Sequence, residues 1–348
     1  KALECLEKLQ RAAPDNQAVL WTLMDAYMLQ KKYEQGFSLL VSSEPIISDN
    51  EAMTLVLRYA NGLLSDFDNS LIARTYADKL LDYLEGKNKA GYARSWQIQL
   101  VSGMLSGYLD RSTRSHAYFE RALSLADSVA EVPLQICMFY FQKQQYKEMV
   151  RVAEHGARRF PKQSQLFFLW GIGLSQLDSN HHAIDVLCRA VSLDSTNIDA
   201  WNQLAILYSI CGDIASSDAA YEHVLQIDPN NALANNNYAY SLSERKMHLD
   251  RAHTMIQKAL QSEPKNPSYL DTMGWILYQR GEYKEALTYI LQAIEHGEAS
   301  ATIYEHLGDV YHKLGDTANA VQAWREALLK EPNRASVKER LSNGTATK

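Results

Sequence analysis

Apolar positions along the chain follow a helical beat. Within residues 269–279, Leu270, Met273, Gly274 and Leu277 fall at i, i+3, i+4 and i+7, one face of a helix. Gly281 ends that run, because glycine accepts the left-handed backbone of a helix cap. Tyr283, Ala286, Leu287, Ile290, Ala293 and Ile294 then open a second periodic run. The pattern predicts an antiparallel helix pair, and it repeats. Small residues stand at Gly103, Cys137, Gly171, Ala205, Ala239, Gly274 and Gly308, spaced by 34 residues and once by 35. Further small columns run through Ala183, Ala252, Ala286 and Ala320, and through Ala190, Ala259, Ala293 and Ala327. Two helices approach closely only where one side chain at the crossing is little more than a methyl group, so these columns mark the crossings. The predicted fold class is all-α, an α-solenoid in which each helix pair exposes an apolar face that only its neighbours cover.

The columns resemble those of the tetratricopeptide repeat family. Residues 301–332 carry the motif most fully, with Tyr304, Leu307, Gly308, Tyr311, Ala320, Trp324, Ala327 and Pro332. Residues 198–229 follow with Trp201, Leu204, Ala205, Tyr208, Tyr221 and Pro229, departing at Ser217 and Val224. The unit around Cys137 departs further, at Pro133, Met149 and Gly156. The resemblance implies a right-handed superhelix with the first helix of each pair lining a concave groove.

Domain organisation follows from the period. Residues 1–14 fit the second helix of a truncated repeat, which reads as a piece of a longer protein cut upstream of Lys1. Residues 15–127 read as irregular repeat-like helix pairs, with a long unit at 49–85 and a connection at 86–91. Residues 128–332 give six regular units, and 333–348 a capping helix at 334–341 with a fraying tail from 342. The spacing of 35 places one extra residue within 243–250.

Composition narrows the function. The 348 residues include 16 Gly and 8 Pro, too few chain breakers for a loop-rich all-β protein, and 46% are hydrophobic, which excludes global disorder. A net charge of −6 leaves no electrostatic footprint for nucleic acid. No apolar run is long enough to span a membrane. Cys5, Cys137, Cys188 and Cys211 form no CxxC pair, so no zinc site is expected. Cys137 fills a small-residue column. Cys188 and Cys211 fall on adjacent helices, where they either pack or form a disulfide. His181 and His182 point about 100° apart on a helix and cannot chelate one ion; His306 and His312 lack partners at ligand spacing. No phosphate loop, nucleophile elbow or kinase signature occurs. No catalytic residue, metal site or cofactor is expected.

What remains is the groove. On the resemblance, its lining includes Phe168, Ile172, Asn202, Ile206, Asn236, Tyr240, Asp271, Trp275, Tyr278, Glu305 and Asp309. Aromatic side chains at Phe168, Tyr240, Trp275 and Tyr278, where the helix needs no core residue, suit partner capture; the alternative for Trp275 is packing between first helices. Asn202 and Asn236, one unit apart, are placed to hydrogen-bond an extended backbone. The chaperone-binding members of the family hold a carboxylate with basic residues in these columns; here the columns carry Asp199, Asp271, Glu305 and Asp309, which favours a basic or apolar segment. The expected function is a non-catalytic scaffold or adaptor that binds another protein or peptide, the alternative being a regulatory region of a larger enzyme. Self-association through the repeat ends is a further expectation. Residues 235–287 are similar to bacterial cell-envelope repeat proteins, several of them lipoproteins, which favours the envelope, on the periplasmic side and lipid-anchored, over the cytoplasm.

Overall fold

The computed structural model describes residues 1–67, 70–86 and 90–345. Twenty-one helices and no strand occur among them, in two compact units, Lys1–Leu177 and Asp178–Lys348. The first contains α1 (Ala2–Ala12), α2 (Gln17–Leu29), α3 (Tyr33–Ser43), α4 (Asp49–Ser65), α5 (Leu71–Gly86), α6 (Ala90–Arg94), α7 (Trp96–Tyr108), α8 (Ser112–Leu125), α9 (Glu131–Gln142), α10 (Tyr146–Arg159) and α11 (Ser164–Ser175). The second contains α12 (Asn180–Leu193), α13 (Ile198–Ile210), α14 (Ile214–Ile227), α15 (Ala232–Glu244), α16 (Leu249–Ser262), α17 (Pro267–Gln279), α18 (Tyr283–His296), α19 (Ala301–Lys313), α20 (Thr317–Lys330) and α21 (Ala335–Thr345).

The helix boundaries are written locally. The first helices α13, α15 and α17 start on asparagine caps: Asn197, Asn231 and Asn266 accept hydrogen bonds from the backbone N–H groups of Ala200, Ala234 and Tyr269. The turn inside each pair is a left-handed residue in a fixed column. Asp110, Gln144, Gly212, Lys246, Gly281 and Gly315 have φ between 54° and 83°. The residue that follows reaches back across the cap, as Glu282 N–H does to the Leu277 carbonyl at 2.9 Å and Met247 N–H to that of Leu242 at 2.9 Å. The extra residue of the one 35-residue spacing is taken up here. After Gly281 the second helix starts at Tyr283, whereas after Lys246 it starts at Leu249, and His248 is itself left-handed, with φ 49°.

Packing follows the columns. An added Cβ at Gly274 would come within 2.5 Å of the Ile290 side chain, so α17 and α18 meet at a distance that only glycine allows. Cys137, Ala205 and Ala239, in the same column, are fully buried. The second unit has one main core running from Ala205 to Ala323, with a small cluster of Ala320, Trp324, Ala327 and Val337 at its end. In the first unit the long pair α4–α5 packs beside α2 and α7 around Leu55, Tyr59, Leu63 and Leu80.

One pair of alternatives is decided and one expectation changes. All four cysteines are free, and the Cys188 thiol instead meets the Tyr208 hydroxyl at 3.3 Å, so the packing reading holds and the disulfide does not. The capping helix runs to Thr345, beyond the expected end at 341. The fraying expected at 346–348, and the part of the expected connection at 87–89, lie outside the described residues.

Candidate partner-binding face

In the second unit, first helices α15, α17 and α19 lie side by side, α17 touching both of the others. Their common face carries a cavity of about 690 Å³, bordered by α13 and α14 as well. Ile206, Ile210, Ile214 and Ile303 supply apolar wall, and Tyr240 an aromatic one; Asn236, Glu244 and Asp271 supply acceptors. Ile210 is largely exposed.

Asn202 and Asn236 are buried, at 4% and 7% exposure, yet Oδ1 of each has no hydrogen-bond partner among the described residues. The Asn236 amide nitrogen donates to Asn237 Oδ1 at 2.9 Å, which fixes the amide and leaves the oxygen open. A buried acceptor without a donor costs about 1–3 kcal/mol.

Beside the cavity the expected exposed aromatic surface is closed. Trp275 is only 7% exposed. Its ring lies between Tyr278, at 4.7 Å and 5° between planes, and His306, at 3.9 Å and 12°. Its indole N–H donates to Glu244. His306 Nδ1 stands 3.0 Å from both carboxylate oxygens of Asp271, an arrangement that fixes the ring proton on that nitrogen. The expectation of an open Trp275 is therefore corrected: first helices of neighbouring units close over it, the alternative noted above.

The acidic end of the face is also occupied. Arg334 donates to Glu305 and to Thr302 Oγ1, the latter at 3.0 Å. Arg340, on α21, lies 2.7 Å from Glu305 and 2.6 Å from Asp309. Burial opposes ionisation of both carboxyls. At Glu305 it is outweighed by hydrogen bonds from Arg334 and Ser336 and by the charges of Arg340 and Arg334, which hold the carboxyl below its ordinary range. Asp309 is more deeply buried; there desolvation prevails over Arg340 and over the Trp324 N–H bond, and the carboxyl is held above its ordinary range. Glu305 and Asp309, expected to face a basic partner, are satisfied by the chain's own arginines.

The residues named from the sequence thus divide. Ile206, Asn236, Tyr240 and Asp271 meet at one cavity, with Asn202 on the same helix as Ile206. Trp275 and Tyr278 form the stack beside it, and Glu305 and Asp309 the arginine-bound end. Phe168 and Ile172 lie half-buried on α11 in the first unit. Glu244, His306, Arg334 and Arg340 escaped the sequence reading. Glu244 had a signal, since it stands one helical turn beyond Tyr240. His306 follows Asp271 by one repeat plus one residue, a relation visible only when neighbouring repeats are laid side by side.

Residues 198–231 and 301–333 match the tetratricopeptide repeat profile, and residues 274–315 match the TPR repeat profile. The chain carries tetratricopeptide repeats. It is 27% identical over 145 residues to a TPR repeat-containing protein of Pseudomonas aeruginosa, covering 42% of this chain and 24% of that one. Over 142 residues it is 29% identical to the type IV pilus assembly protein PilF of the same organism, covering 40% and 56%. The chain therefore spans about a quarter of the first relative's length and just over half of the second's. Among solved structures, a tetratricopeptide repeat protein from Parabacteroides merdae superposes with a TM-score of 0.56 at 11% identity, over 72% of this chain and 98% of that one. The type IV pilus biogenesis factor PilW gives 0.53 at 18% identity, over 62% and 100%. These likenesses establish the fold. No helix among the described residues is long and apolar enough to cross a membrane.

Proposed function

We propose that this protein is a non-catalytic scaffold that holds an extended segment of a partner protein on the first-helix face of α13, α15 and α17. The observation that carries the reading is the pair of buried, unpartnered acceptors on Asn202 and Asn236, one repeat apart, with Asn236 at a cavity walled by isoleucine and tyrosine. An extended peptide offers backbone N–H donors at regular intervals and apolar side chains between them. The chain's own arginines neutralise the α19 end, so recognition rests on Ile206, Asn236, Tyr240 and Asp271 and not on Glu305 and Asp309. A place on the periplasmic side of a bacterial envelope is the location we propose. It is supported by the similarity to a protein that assembles type IV pili.

Selection of a random-sequence displayed peptide library on the full chain tests the reading. Selected peptides are expected to bind Tyr240→Ala and Asn236→Ala at least about tenfold more weakly. If both variants bind the peptides as the wild type does, this face is not the binding site.

A further inference from the structure

We propose that the part of the cavity framed by Asn236, Glu244 and Asp271, with the Tyr240 ring as its wall, is a subsite for one basic side chain, Arg or Lys, of the bound segment. This rests on the partner-binding reading above and specifies what the partner brings.

The first ground is the hydrogen-bond inventory. Asn236 Oδ1 is buried and unpartnered, and its amide nitrogen gives one of its two hydrogens to Asn237, so the oxygen is the acceptor left without a donor. A backbone N–H would suit that oxygen alone. Two carboxylates line the same cavity, however, and both use their present contacts to accept as well: Glu244 takes the Trp275 indole N–H through Oε1, and Asp271 faces His306. Three acceptor groups thus line one cavity, and a guanidinium or ammonium group brings several donors with no acceptor of its own.

The second ground is charge. Arg245 lines the cavity, but its guanidinium is held by Asp218 through two bonds of 3.0 and 2.8 Å. Arg334, whose charge reaches Tyr240, is bound by Glu305 and Glu331. The Tyr240 phenol is pushed up by burial and then by the negative fields of Glu244 and Asp271, so the ring stays neutral, and it lines the cavity where a cation would meet it. An acidic side chain at this point would meet two carboxylates, and an apolar one would leave Asn236 Oδ1 unsatisfied.

The displayed-library selection separates this from the broader reading. Selected peptides are expected to share one Arg or Lys, and replacing it by citrulline or norleucine in the synthetic peptide should weaken binding to the full chain about tenfold or more. Glu244→Gln keeps an oxygen for the Trp275 N–H and removes only the charge. It should cost the cationic peptide a similar factor and leave the citrulline or norleucine peptide unaffected. Peptides that lose affinity on Tyr240→Ala, yet share no basic residue and ignore Glu244→Gln, would overturn the subsite and leave the partner-binding face standing. Failure to select any peptide sensitive to Tyr240→Ala would remove both.

Discussion

Trp275 and His306 lie ring on ring, 3.9 Å apart and within 12° of parallel, although they come from different repeats. The contact locks α17 to α19 beside the candidate face. Truncating Trp275 to Ala removes a buried aromatic that stacks on two rings and should cost about 3–5 kcal/mol. His306→Ala should cost about 1–3 kcal/mol, because it leaves Asp271 buried without its partner. Urea unfolding of each variant checks both figures. A Trp275 variant as stable as the wild type would mean that the stack contributes nothing to the fold.

The turn column offers a test of backbone strain. Gln144 and Lys246 hold φ near 54°, a conformation that glycine adopts freely at Gly281 in the same column. Gln144→Gly and Lys246→Gly should each stabilise the fold by up to about 1 kcal/mol, and Gly281→Ala should destabilise it by about as much. Denaturant midpoints decide the sign.

Arg340 joins the two acidic side chains of α19 to the terminal helix. Arg340→Ala should cost about 1–3 kcal/mol, since it strips charged hydrogen bonds from two buried carboxylates. Both carboxyl pKa values should rise, because the lost guanidinium lowers each of them. In the wild type, Glu305 titrates below its ordinary value, so its contribution to stability is present above that range and is lost as pH falls through the depressed pKa. Asp309 titrates high and contributes with the opposite sign. Carboxyl carbon shifts followed by NMR across acidic pH read both directions.

Cysteine reactivity should be graded by burial. Cys5 is exposed, whereas Cys137 is fully buried and its thiol is pushed up to about 12 by desolvation. A thiol-specific reagent at mildly alkaline pH should modify Cys5 quickly and leave Cys137 untouched until denaturant is added. Rapid labelling of Cys137 in the native protein would mean that α9 and α10 open locally.

The amino-acid sequence by itself determined the helix pairs, their 34-residue period, the small-residue crossings and the site of the extra residue. Each is set within a stretch short enough for local periodicity, a cap or a turn to decide it. Asn266, Gly274 and Gly281 announce their roles at once. The candidate face was legible only in part. The columns that reach it could be counted, and Ile206, Asn236, Tyr240 and Asp271 do meet there. Tertiary structure decided which of those side chains stay open. Trp275 is covered by His306, Glu305 and Asp309 by Arg334 and Arg340, while Asn202 and Asn236 keep an unpaired oxygen. The physical reason is that exposure and hydrogen bonding on such a face are settled by the rotamers of the adjacent repeat, about one period away in sequence, where no local pattern reaches.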